Sequence, residues 1–449
     1  MVSKKKASKT AKVAKPGRSK NDKLTPDAEL NLPKVVASSS IAPAASGLSG
    51  SALRSAMREF VAGQNSQYED HKVIEFASNV PNTYELRRPS GIMQLDLDTG
   101  GGLPAGGLSY VSGPDNAGKT FLILLYMLMH QKLYGDQSAL AFACVEGGFD
   151  FKRAINMGLQ IAVPDAVIAQ WDMERRQRGF PSYTKEEWQS FKQQAGEFLL
   201  IGGPTGEAIM QTTLNAIASK LFGIVAVDSV SIMLPEADAS KDLDENNKRA
   251  ANASLITDFI KHYTPMTSGL DGLNYTTLIF SSQVRANSAK STAPAHLQKY
   301  LKDWAATGAY AGKHGKLIDV TIWSGSKIER QYEGQKATVG KITKYELEKG
   351  KAGAHDNVNG EFSFFYDFFY PAGVDRFDTI IVQGLKRGVI VEKDGVVNVI
   401  QPDTKLVHPE LRNLPGLRNF RRMMEIDIDV EMAVRREVLA SKGIMCLYR

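Results

Sequence analysis

The sequence predicts an α/β protein: a mostly parallel central sheet, a short helix before it and a small α+β unit after it. Three observations carry this. Short apolar runs suited to buried strands alternate with helical segments from about residue 84 to about residue 369. One run leads into a glycine-containing turn and then an apolar helix, the order of a phosphate-binding loop. From about residue 376 the pattern changes to a hairpin over 389–399, around Asp394 and Gly395, and a helix near 430–441.

The elements follow in chain order. Residues 1–45 are rich in Lys, Ser, Ala and Pro and are expected to be a disordered tail. Residues 46–82 form a helix and linker: Leu53, Met57, Phe60 and Val61 recur at helical spacing, and a polar stretch over 64–72 follows. So short a helix needs a partner, its own core or a neighbouring subunit. The core spans 83–375, with strands expected over 108–112, 139–145, 222–227, 276–281, 317–323 and 342–347, and a helix over 120–132. A polar insertion at about 163–197 reads as one or two surface helices. Residues 376–449 form the small C-terminal domain. No internal repeat interrupts this order.

Composition narrows the function classes. The chain has 449 residues, 43% hydrophobic and 23% charged, as in ordinary globular proteins. No apolar run reaches 18 residues, so a membrane span is not expected. The start lacks the apolar core of a secretory signal. Two cysteines, Cys144 and Cys446, cannot form a disulfide framework or a four-ligand zinc site. A reducing cytosol, bacterial or that of a phage-infected host, is the expected compartment, with an organelle as the alternative. The net charge of +6 is unevenly spread. Residues 1–23 hold nine Lys or Arg and one acid, Asp22, leaving the rest of the chain near neutral. Such a tail binds polyanions or simply solubilises.

Gly113, Pro114, Asp115, Asn116, Ala117, Gly118, Lys119 and Thr120 fit G-x-x-x-x-G-K-[ST], with an apolar strand before them and Phe121 opening an apolar helix after them. Backbone N–H groups of such a loop curl around phosphate oxygens at the positive end of a helix. Lys119 would reach the β- and γ-phosphates of ATP, and the Thr120 hydroxyl would take a Mg²⁺ position. Asp228 ends the apolar strand 223–227, where a carboxylate can hold Mg²⁺ through water. Glu146 follows another strand, where a carboxylate can orient an attacking water.

This order of parts resembles the RecA family of DNA strand-exchange proteins, its bacterial and phage branch in particular. The approach to the phosphate loop (97–104), the metal-binding strand (225–230), the strand 280–285 ending around Gln283, the segment 343–351 with Lys349 and Lys351, and the strand 360–366 all carry the likeness, which runs from about residue 50 to about 395. The resemblance implies a RecA-like P-loop ATPase core. It implies Glu146 as general base and Gln283 as sensor of the γ-phosphate. It makes Lys349 and Lys351 cations reaching into a neighbouring subunit's site, a role otherwise filled by an arginine finger. Read from the residues alone, two lysines on one face of a strand are a solvated edge. Asp150 and Tyr366 match positions near the adenine. The family usually has an aromatic three residues after that Asp, and this chain has Arg153.

Two loops line the DNA axis in this family. The first corresponds to about 236–249, where Asp238, Asp242, Asp244 and Glu245 outweigh Lys241, so phosphate contact falls to Lys248 and Arg249. The second corresponds to about 286–312. From Arg285 to Lys316 there are six basic residues (Arg285, Lys290, Lys299, Lys302, Lys313 and Lys316) and one acid, Asp303. Such a segment attracts phosphates without regard to sequence. Tyr300 and Trp304 can stack on bases or form a small amphipathic helix on the core. Arg418, Arg421 and Arg422 could gather duplex DNA or remain a solvated turn. The expected function is an ATP-dependent homologous recombinase that forms a helical filament on single-stranded DNA and pairs it with double-stranded DNA. The alternatives are a ring-forming helicase with the same core and a regulator that binds ATP without exchanging strands.

Overall fold

The computed structural model describes residues 50–67, 72, 74–79, 85–236, 248–267, 274–286, 298, 304–306, 315–332, 335–350, 358–366, 373–445 and 448. The chain divides into two compact units, Met1–Ala62 and Gly63–Arg449. The first contributes most of helix α1 (Gly50–Asn65), whose Met57 and Phe60 are exposed.

The second unit is an α/β body. Its strands are β1 (Arg87–Arg88), β2 (Leu103–Pro104), β3 (Leu108–Gly113), β4 (Ala139–Cys144), β5 (Glu197–Ile201), β6 (Ile224–Asp228), β7 (Thr277–Ala286), β8 (Trp304–Ala306), β9 (Lys316–Tyr332), β10 (Gln335–Gly350), β11 (Val358–Phe365), β12 (Ile390–Lys393), β13 (Val396–Val399) and β14 (Leu414–Pro415). The main sheet runs β11-β10-β9-β3-β7-β6-β4-β5, with β8 paired to β7. Its centre is parallel: β3 pairs with β7 and β9, and β6 with β4 and β7. β9, β10 and β11 add antiparallel ladders at one side. The expected strands 317–323 and 342–347 are the inner parts of two much longer partners, β9 and β10. Ile318, Val320 and Ile322 are buried, whereas the remainder of β9 is mostly polar and gives no apolar run to read.

Helices α2 (Met93–Asp98), α3 (Lys119–Tyr134), α4 (Phe151–Asn156), α5 (Asp165–Gln177), α6 (Lys185–Ser190), α7 (Gly206–Ala218), α8 (Lys248–Met266), α9 (Arg376–Lys386), α10 (Gly416–Ile426) and α11 (Ile428–Ala440) cover the sheets. α3 is apolar nearly all round and correspondingly buried, packing on the sheet between Val111, Phe142 and Ile322. On the opposite face, α7 and α8 bury Ile209, Leu214, Ile256 and Phe259 against Val225 and Phe280. The insertion forms α5 and α6, held together by Trp171, Tyr183 and Phe191, with Thr184 and Glu187 closing a capping box. Gln131 ties it to the body, donating to the carbonyls of Gln160 and Ala195.

The C-terminal segment carries the expected hairpin. Asp394 and Gly395 both have positive φ, 53° and 76°, as a two-residue turn matched to strand twist requires. Its core is shared with the front of the body: Met93, Leu97, Met129 and Leu133 pack with Ile380, Val399, Phe420 and Val438. A buried ion cluster reinforces this junction. Arg435 donates to Asp96 at 2.9 Å, to Glu431 at 3.3 Å and to the Gly91 carbonyl at 2.7 Å, and Arg376 reaches Glu431 at 3.1 Å.

Candidate functional site

The site lies at the C-terminal ends of the parallel strands, where open α/β sheets bind ligands. β3 delivers the phosphate loop. Gly113 closes that strand, and a Cβ there would lie 2.6 Å from the Ile322 carbonyl oxygen, so the loop passes β9 only with glycine at this point. The loop then feeds α3, whose N-terminus no side chain caps, so the positive end of its dipole lies at the loop. Lys119 is buried at the loop mouth, its ammonium donating to the carbonyls of Gly113 at 3.1 Å and Pro114 at 2.9 Å.

Register brings the acids to the same edge. Cys144 on β4 pairs with Asp228 on β6, so Glu146, two residues beyond Cys144, stands beside the Asp228 tip. Thr120 Oγ1 donates to Asp228 Oδ2 at 2.5 Å, and Ser281 Oγ on β7 donates to the other carboxylate oxygen. These are hard oxygen donors, as Mg²⁺ prefers. Among the described residues no group of three or more His, Cys, Asp or Glu could hold a metal. Thr120 and Asp228 would offer Mg²⁺ oxygen donors alone, the class that this ion prefers. Burial, together with Asp228, pushes the Cys144 thiol up to about 11.

Glu146 accepts from Ser229 Oγ and, at 3.5 Å, from Gln283 Nε2. The Gln283 backbone is fixed by Ser231 Oγ at 2.7 Å, and its side-chain oxygen accepts from Arg285 at 3.5 Å. A polar path thus runs from the acid to the exposed base of the segment after β7. There β8 pairs back onto β7, with Trp304 opposite Ala286. Trp304 is half-exposed and sits in a strand, its ring 5.7 Å from Trp323.

A cavity of about 1110 Å³ extends from the phosphate loop. Asp115, Asn116, Gly118, Lys119, Thr120, Phe121, Glu146 and Gln283 line one end, and Tyr366 and Phe364 form an aromatic wall. Phe121 and Phe364 meet edge to face at 4.4 Å. Asp150 borders a smaller adjoining cavity with Glu146 and Asp228. It caps α4 by accepting from the Arg153 N–H at 3.0 Å and pairs with the Arg153 side chain at 3.5 Å. Arg153, which takes the place of the resembled family's usual aromatic, thus stands on the cavity wall.

Sequence reasoning missed several members of this wall. Lys341 enters from β10, and Arg178 follows the last turn of α5 in the insertion. Lys152 adds a further cation. Ser229 follows Asp228 at the end of β6 and Ser281 lies within β7 two residues before Gln283, and this nearness to residues already singled out was the available signal.

Lys349 lies on β10 opposite Asp319, which pairs with Tyr110 midway along β3. Its backbone is therefore on the stretch of strand leading away from this chain's phosphate loop. The Lys349 side chain and those of Lys248 and Arg249, at the start of α8, lie outside the described residues, as do Lys290, Lys299, Tyr300, Lys302, Lys313 and Lys351 entirely. Among the described residues no helix is long and apolar enough to cross a membrane.

No protein-family model matches the chain. It is similar to Protein RecA of Saccharopolyspora erythraea, 25% identical over 358 residues that cover 79% of this chain and 84% of that protein. It is also similar to Protein RecA of Paracoccus denitrificans, 22% identical over 379 residues (84% and 87%), and of Zymomonas mobilis, 25% identical over 308 residues (68% and 70%). Together with the α/β architecture, these likenesses support a RecA-like family for the chain.

Proposed function

We propose that this chain is an ATP-dependent DNA recombinase that assembles on single-stranded DNA and exchanges it with a homologous duplex. The observation that carries the reading is the hydrogen-bond path Glu146–Gln283–Arg285, which joins the acid beside the phosphate loop to the base of a cationic segment. A site that only hydrolysed nucleotide would have no use for it. The RecA likeness over most of the chain supports the same conclusion.

Lys119 and the loop N–H groups hold the ATP phosphates, and Thr120 and Asp228 hold Mg²⁺. Mg²⁺ held there would supply Lewis-acid neutralisation of the phosphate oxygens. Glu146 accepts the proton of the water that attacks the γ-phosphate, and Ser229 orients its carboxylate. Gln283 changes partners with the occupancy of the γ-phosphate position and displaces Arg285 and β8 accordingly. Lys349 and Lys351 come from the neighbouring subunit, so ATP lies between protomers and hydrolysis is coupled to assembly. The α1 helix packs on an adjacent subunit, and residues 376–449 serve as a small domain beside the core. Lys248, Arg249, Arg285, Lys290, Lys299, Lys302 and Lys313 attract the strand, and Tyr300 and Trp304 stack on bases. Base pairing, not side chains, reads homology.

The test is joint-molecule formation between a single strand and a homologous supercoiled duplex, with ATP, for wild type and Lys119→Ala. Homology-dependent product from wild type alone is expected. DNA-stimulated hydrolysis without product would replace the recombinase by a motor or a regulator.

A further inference from the structure

Lys341 has no part in the mechanism above, yet it is built into the same cavity. Its ammonium donates to the Asn116 carbonyl at 2.6 Å, to the Ala117 carbonyl at 3.4 Å and to Ser324 Oγ at 3.1 Å. Ser324 Oγ in turn lies 3.5 Å from the Asn116 carbonyl. Two adjacent strands, β9 and β10, thus hold one peptide of the phosphate loop from outside. That peptide needs holding, because Asn116 has φ 58°, a left-handed conformation that a non-glycine residue adopts at some cost.

Charge adds a second argument. A lysine at the surface normally keeps its ammonium in water or against a carboxylate. Lys341 is half-buried, its hydrogen bonds go to neutral oxygens, and among the described residues it has no ion pair. It also faces the Phe364 ring at 5.6 Å, and burial lowers its affinity for the proton. A cation in such surroundings, on the wall of the cavity that Lys119 also lines, adds positive potential there.

We infer that Lys341 is a positioning residue of the nucleotide site: by clamping the Asn116 carbonyl it fixes the phosphate-loop conformation, and its charge adds to the attraction for a nucleoside triphosphate. This rests on the reading of 113–120 as the triphosphate site. The effect is made in cis, by the subunit that owns the loop, and so is separate from the cations proposed to arrive from a neighbour.

The experiment measures binding of a ribose-labelled fluorescent ATP analogue with Mg²⁺ to the full-length protein, together with kcat and KM for ATP on single-stranded DNA. Lys341→Met keeps the aliphatic stem against Phe364 and removes the ammonium. Losing charge-assisted hydrogen bonds is expected to raise Kd and KM about tenfold. The kcat should change less than about twofold, since an interaction common to ground and transition states moves KM. Lys341→Arg should recover much of the affinity, and the melting temperature should stay that of wild type. Binding by Lys341→Met within about twofold of wild type overturns the inference. So does equal weakening of both variants with matching losses of melting temperature, which would make the lysine only a packing element. Lys119→Ala, run beside them, separates the two levels. If it binds the probe like wild type, the reading of the site fails. If it loses the probe while Lys341→Met keeps it, only the present inference fails.

Discussion

His130 gives the fold a calculable pH dependence. It lies in α3, almost fully buried, its ring 4.4 Å from Tyr134. Gly223 leaves it no clearance: a Cβ there would fall 2.0 Å from His130 Nε2. Burial, and then the nearby Arg88 guanidinium, hold the imidazole pKa well below its ordinary value. The folded protein therefore keeps His130 neutral while the unfolded chain takes up a proton near pH 6.5. With fewer protons bound in the folded state, stability is fully present above that pH and falls as pH drops below it. Between pH 7 and 5.5 the loss from this one group is on the order of 1 kcal/mol, for an unfolded pKa of about 6.5. Urea midpoints followed by circular dichroism at both pH values, for wild type and His130→Gln, isolate the term, because the other titrating groups are common to both. The wild type should lose on the order of 1 kcal/mol more than the variant over this interval. Equal losses would refute the argument that the ring is buried neutral.

Two further outcomes follow from the site and the junction. Glu146→Gln should lower DNA-stimulated ATP hydrolysis by roughly 10²–10⁴-fold while nucleotide binding persists, measurable by phosphate release and by titration with the labelled nucleotide. Retained hydrolysis would remove Glu146 as the base. Arg435→Met should destabilise the protein by about 3–5 kcal/mol, because Asp96 would be left buried without its cation and Glu431 with Arg376 alone; a melting temperature near that of wild type would show that water or protonation compensates.

The phosphate loop was legible because its chemistry is local: glycines, lysine and threonine at fixed spacing between a strand and a helix. Asp228 and Glu146 were legible for a related reason, since each ends an apolar run and parallel strands bring such ends to one edge. Lys341 and Arg178 were not. Each is one cation among many on a polar segment, and only the packing of β10 and the insertion against the loop gives it a place. The extent of β9 and β10 was hidden likewise, because their outer halves are mostly polar and pair with each other rather than against a helix. The tie between Arg435 and Asp96 joins positions 339 residues apart, beyond any local pattern.

That same tie bears on how the chain is made. Asp96 leaves the ribosome long before Arg435, and at about 5–20 residues per second the wait is roughly 17–70 s. During this interval the phosphate loop and the sheet strands that follow it have already emerged, while α2 still carries an acid with no cation to meet. The front of the body therefore cannot reach its final packing before α11 has been made. Until α11 docks, the apolar residues Met93, Leu97 and Met129 remain open to a chaperone or to another nascent chain.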